Sequence, residues 1–169
     1  MKNLNYRRYY TLLVITIIAV TVVSQMIIRS HLDSQTNDGN KISLASYQSS
    51  VANEVAKFAL KIHSERTESL STKNSEIELK KAIWKISDRH NALTYGNPKY
   101  NLNGDNTKKA KTLLLSASKN LNRLELAVQK TLALENSDAE NLTEILIQSE
   151  DYSQVLNEVV FSFEKENSA

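Results

Sequence analysis

Tyr9-Tyr10-Thr11-Leu12-Leu13-Val14-Ile15-Thr16-Ile17-Ile18-Ala19-Val20-Thr21-Val22-Val23-Ser24-Gln25-Met26-Ile27-Ile28 is twenty residues without a charge, and 12–23 is almost wholly aliphatic. At ~1.5 Å rise per residue a helix of this length covers about 30 Å, the hydrocarbon thickness of a bilayer. Lys2, Arg7, Arg8 and the amino terminus precede it, and Arg29 is the only full charge close behind. The positive-inside rule keeps residues 1–8 in the cytoplasm and sends residues 30–169 across the membrane. The run 9–28 is therefore read as a transmembrane signal anchor, placing the chain in a bacterial inner membrane with one crossing. Tyr6, Tyr9 and Tyr10 suit the aromatic belt at the interface.

Two other readings of the run stand beside the anchor. Val22-Val23-Ser24 fits a small-residue cleavage site behind an apolar core, as in a cleaved signal peptide. Against cleavage, the apolar run continues through Met26-Ile27-Ile28. A type IV pilin would need Gly before the cut and Glu near the mature start, and this run has neither.

Beyond the anchor, few breakers interrupt the chain. Three Gly, one Pro and no Cys in 169 residues argue for long helices joined by short turns. The lack of Cys removes disulfides, thiolate metal sites and thiol nucleophiles. The net charge of +2 is misleading, because four of the 21 basic residues flank the anchor. The exported part carries 17 Lys/Arg against 19 Asp/Glu. No basic cluster resembles a nucleic-acid footprint.

Residues 29–41 are polar and read as a stalk, either continuing the anchor helix or breaking near Asp38-Gly39. From residue 42 the pattern is helical. Leu44, Gln48, Val51, Val55, Phe58 and Ile62 follow a 4-3 spacing, a seam broken only by Gln48. Ala45, Ala52 and Ala59 form a line of small residues beside it. That line either lets another helix approach closely or is simply a set of good helix formers. Ser75-x-x-Glu78 has the form of a capping box opening the second helix, whose seam is Leu79, Ile83, Ile86, His90 and Leu93. Tyr95-Gly96-Asn97-Pro98 and Asn103-Gly104-Asp105-Asn106 are turn signals bracketing Tyr100 and Leu102. The third seam is Ala110, Leu114, Ala117, Leu121, Leu124, Val128 and Leu132. Ser137-x-x-Glu140 is a second capping-box pattern, followed by Leu142, Ile145, Ser149, Tyr152, Leu156, Val159 and Phe163. The chain ends in helical register without a C-cap, as a cut helix would. The expected fold is all-α: the transmembrane helix, then an antiparallel up-down four-helix bundle over 42–169. Its helices are expected near 42–70, 75–94, 106–134 and 138–167.

The first of these helices carries a resemblance. Ile42-Ser43-Leu44-Ala45-Ser46-Tyr47-Gln48-Ser49-Ser50-Val51-Ala52-Asn53-Glu54-Val55-Ala56-Lys57 resembles the I-N-L-A-G-R-Q-R-M-L-S-Q-R-I-A-K motif of a sensor-domain family. That family is the N-terminal sensor domain of type IV pilus methyl-accepting chemotaxis transducers and nitrate/nitrite sensor kinases. Ile42, Leu44, Ala45, Gln48, Ala56 and Lys57 match, and Val51 and Val55 are conservative. The 95–106 loop is similar to the loop between that family's second and third helices. Leu156-Asn157-Glu158-Val159-Val160 with Phe163-Glu164 is similar to the end of its fourth. The resemblance implies a periplasmic bundle, a homodimer with the first helix near the interface, and a second crossing leading to a chemoreceptor, histidine kinase or cyclic-dinucleotide output module. It implies ligand contact by Tyr47, Gln48, Ser49 and Ser50 and dimer contact by Ala45, Ala52 and Ala59. The motif departs where it matters: two of its Arg positions are Tyr47 and Ser49 here, and no Arg lies between Arg29 and Arg66. A planar oxyanion is best matched by a guanidinium fork, so nitrate or nitrite binding is expected to be no tighter than millimolar.

Other chemistry is absent from the sequence. His31, His63 and His90 lack metal-ligand spacing, and His90 falls on the seam as a hydrogen-bonded core residue. There is no P-loop, G-x-S-x-G or H-E-x-x-H motif, no catalytic constellation and no implied cofactor. Trp84, Tyr95 and Tyr100 are read as core packing and loop anchoring, with a small-ligand pocket as the alternative. Two functions follow. One is an extracytoplasmic input module, partnered by a small ligand or periplasmic protein, signalling by helix displacement in a chemotaxis or two-component protein. The other is a single-pass anchored bundle that binds a periplasmic partner without signalling.

Overall fold

The computed structural model describes residues 2–133 and 138–167. Four α-helices account for nearly all of them: α1 (Lys2–Thr67), α2 (Lys73–Tyr95), α3 (Lys108–Leu132) and α4 (Asp138–Asn167). A 3₁₀ turn, Pro98–Tyr100, sits between α2 and α3. The chain divides into two compact units, Met1–Thr36 and Asn37–Ala169.

The first unit is the amino-terminal part of α1. Apart from half-buried Val14, its large aliphatic side chains are open: Leu12 is 64 % exposed, Ile18 58 % and Ile28 57 %. One helix of the described residues is long and apolar enough to cross a membrane, and its apolar window is unburied. Within it, Thr16 and Thr21 donate their hydroxyls to the carbonyls of Leu12 and Ile17 at 2.9 Å each. Such back-bonding satisfies a hydroxyl without water, as an apolar medium requires.

The second unit is bundle-like, with one core drawn from all four helices. Residues 29–41 fall within α1. α1 passes through Gly39, around which nothing lies within 4 Å of a built Cβ. Val51, Val55 and Ile62 of the first seam are buried, and so are Ala45, Ala52 and Ala59 at 0, 0 and 1 % exposure. That corrects the expected dimer line. The small residues widen the buried stripe and let the chain's own helices approach, so they offer no surface to a second copy.

α1 ends earlier than expected, at Thr67 rather than residue 70. Leu70 N donates to Glu65 O (2.7 Å) and Ser69 N to Arg66 O (3.1 Å), with Ser69 left-handed at φ 57°. This is a Schellman closure built on Ser where Gly is usual. The Ser75-x-x-Glu78 capping box does not form. α2 starts two residues earlier with Thr72 as N-cap, so Ser75 lies inside the first turn. Ser75 is buried and donates to Glu65 Oε1 (3.0 Å), tying α2 to α1, while Thr72 Oγ1 bonds Glu76 Oε1 (2.7 Å). Ser137 of the second capping-box pattern lies outside the described residues. α3 is capped by Thr107, whose hydroxyl accepts from Ala110 N (3.3 Å).

The connection between α2 and α3 closes on itself. Asn97 and Leu102 pair as an isolated antiparallel bridge, with N–H···O distances of 2.9 and 3.2 Å. Gly96 (φ 82°) and Gly104 (φ 76°) cross so closely that a Cβ on Gly96 would lie 2.7 Å from Gly104 N. Only glycine fits at that crossing. Tyr100 anchors the loop, its hydroxyl donating to Asp88 Oδ2 at 2.6 Å.

Candidate functional site

A buried polar assembly built from several helices surrounds Tyr152. Gln48 of α1, His90 of α2, Ser118 of α3 and Tyr152 of α4 meet there, with Gln48 and Tyr152 at 0 % exposure and His90 at 4 %. Tyr152 Oη lies 2.9 Å from the Gln48 amide and 3.2 Å from His90 Nδ1, and His90 Nε2 lies 2.7 Å from Ser118 Oγ. Ser118 Oγ donates to Leu114 O at 2.9 Å. The His90 and Tyr152 rings are tilted at 54°, with centroids 5.8 Å apart.

Hydrogen-bond satisfaction fixes the direction of this chain. Gln48 is satisfied when its Nε2 donates to Ile86 O (3.0 Å) and Tyr152 Oη (2.9 Å) and its Oε1 accepts from His90 N (3.0 Å). Tyr152 then donates to His90 Nδ1, His90 donates from Nε2 to Ser118, and Ser118 donates to Leu114 O. Every donor has an acceptor only while His90 is neutral with its proton on Nε2. Burial favours the same state, lowering the His90 pKa to about 4 from 6.5. Burial also pushes the Tyr152 phenol well above its ordinary value; the Gln48 bond opposes that shift and the Glu125 charge adds to it.

The four motif residues of α1 do not converge on one site. Gln48 points into the core and Ser49 Oγ contacts Ser153 Oγ of α4. Ser50 is exposed, and Tyr47 is 44 % exposed with the Arg89 guanidinium 4.0 Å above its ring centroid. Arg89 is the residue that sequence reasoning missed. The motif on α1 lacks arginine, but a guanidinium from α2 stands at Tyr47, with a buried Nη1 that has no hydrogen-bond partner. No local signal pointed to it, because the pairing spans 42 residues. Tyr152 was legible as a seam residue but not as the hub of the network, since its partner Gln48 is 104 residues away.

Two further polar groups bracket the bundle. Lys41, 4 % exposed, donates to Asp38 Oδ1 (3.4 Å) and to Asp105 O, with its ammonium 5.5 Å from the Phe163 ring centroid. Arg66 donates to Thr131 O (2.8 Å) and lies 3.7 Å from Glu76. On the surface, Tyr100 first and Lys99 second hold the Asp88 carboxyl below its ordinary value.

Trp84 is not core packing as expected; it is 62 % exposed, and Tyr95 is 76 % exposed. The seam residue Ile83, one position before Trp84, carries the helix–helix contact instead. Trp84 borders a shallow groove of 340 Å³ with Ile83, Val128, Leu132, Lys80 and Glu125. A second groove of 200 Å³ lies between α3 and α4. Among the described residues, no group of three His, Cys, Asp or Glu is arranged to hold a metal ion.

Comparisons with family models, with curated proteins and with solved structures return no match. The site's chemistry therefore has to carry the functional reading.

Proposed function

We propose that the chain is the extracytoplasmic input module of a bacterial membrane signalling protein. Residues 9–28 cross the inner membrane and the second unit is an antiparallel up-down-up-down bundle in the periplasm. Cross-helix pairs support that topology. Lys41 near the start of the bundle reaches Asp105 just before α3 and Phe163 near the end of α4. Arg66 at the end of α1 reaches Thr131 at the end of α3 and Glu76 at the start of α2.

The observation that carries the signalling reading is that α1 holds both the apolar run and Gln48, the residue through which α1 enters the buried network. A displacement of ~1–2 Å between packed helices is the scale on which such a signal would pass. The module itself catalyses nothing in this reading. The second reading, an anchored bundle that captures a periplasmic protein without signalling, draws on exposed Trp84 and its groove. Sequencing the natural transcript past the codon for Ala169 separates the two. An apolar run of about 20 residues followed by an output domain is expected; a stop codon there would favour capture.

A further inference from the structure

We propose that the α3/α4 face pairs with the same face of a second copy, α3 of each chain lying along α4 of the other about a twofold axis parallel to the helices. This names the surface of the homodimer and rests on the antiparallel topology proposed above. Charge motivates it. α3 carries six basic residues and one acidic, whereas α4 carries eight acidic and one basic. Lys119, Arg123 and Lys130 line one edge of α3, and Arg123 and Lys130 border the 200 Å³ groove opposite Glu140 and Glu144 of α4. Asp151 continues the acidic edge at helical spacing from Glu144. Among the described residues, no ion pair joins these six charges to one another.

A basic stripe beside an acidic stripe maps onto its own complement under a twofold rotation, the condition for an isologous interface. The face also carries an apolar element. Leu115 and Leu126, eleven residues apart, lie within about 20° on α3. Ile147 and Phe161 project from α4, and these four residues are 48–61 % exposed. The alanine line of α1 is occupied by the core, whereas this face combines charge complementarity with exposed apolar side chains. Opposed charges at a rim set partner choice and register more than affinity, so specificity is the property to test.

Two full-length variants in detergent test it. One reverses α3 (Lys119→Glu, Arg123→Glu, Lys130→Glu) and the other reverses α4 (Glu140→Lys, Glu144→Lys, Asp151→Lys). Each alone presents two stripes of one sign, while a mixed pair is complementary at every position. Sedimentation should find wild type dimeric, each variant monomeric and the equimolar mixture dimeric again, with circular dichroism confirming helicity throughout. No effect within a single chain can produce recovery on mixing. A monomeric wild type, or a mixture that stays monomeric, overturns the proposal. A dimer that neither reversal disturbs assigns the interface elsewhere and leaves the sensor reading intact.

Discussion

The two halves of α1 are built from similar residues to opposite ends. Between Leu12 and Ile28 aliphatic side chains cover every side of the helix, and all the large ones but half-buried Val14 lie open. Between Leu44 and Ile62 they follow one stripe, with Leu60 outside it at 47 % exposure, and Val51, Val55 and Ile62 are almost wholly buried. A stripe matches one neighbouring surface, whereas an all-round apolar helix needs an apolar solvent. Pattern, more than hydrophobicity, assigns each half its surroundings.

The same substitution in each half should break this symmetry. Val55→Asp places an unpaired charge in the core and should unfold the bundle, at a cost above about 4 kcal/mol, seen as loss of cooperative melting. Ile18→Asp should leave melting of the bundle unchanged but weaken membrane insertion by about 2.5–3.5 kcal/mol, read as the fraction extracted by carbonate. Equal effects of the two on melting would contradict the contrast.

Within the buried half, Tyr152→Ala should cost about 3–5 kcal/mol in chemical denaturation, because it opens a cavity and strips Gln48 and His90 of a partner. A cost under about 1 kcal/mol would mean that the network contributes little.

Acid should act through His90. Its pKa is about 4 when folded and 6.5 by ordinary value, so the unfolded chain binds the extra proton between those limits. Stability present above pH 6.5 should fall as pH drops toward 4, by about 2–4 kcal/mol in all. His90→Gln should flatten that part of the pH profile, and an unchanged slope would remove His90 as its source.

Much of this organisation was legible because helical periodicity is a local signal. The seams on α3 and α4, the loop closed by Gly96 and Gly104, and the place of His90 on the buried seam of α2 all follow from residues within a few turns of one another. What failed depended on distant partners. Ser75 reads as a cap until Glu65 is found to accept its hydroxyl. The alanine line reads as a dimer contact until the chain's own core covers it. The site was the least legible part, since Arg89 and Tyr152 reach the motif helix from α2 and α4.

The smallest effect concerns Gly39, where the helix passes with open space around it. Gly39→Ala should stabilise the bundle by about 0.5–1 kcal/mol through helix propensity alone. Destabilisation would indicate that the break near Asp38-Gly39, rather than the continuous helix, is the working conformation.

Membrane topology tests the central claim most directly. The chain has no native Cys, so single cysteines report without background. Asn91 is exposed on α2, away from the α3/α4 face, and suits a reporter cysteine. In intact spheroplasts a membrane-impermeant maleimide should label Asn91→Cys and spare Asn3→Cys until the membrane is lysed. Labelling of Asn3→Cys alone would contradict the account.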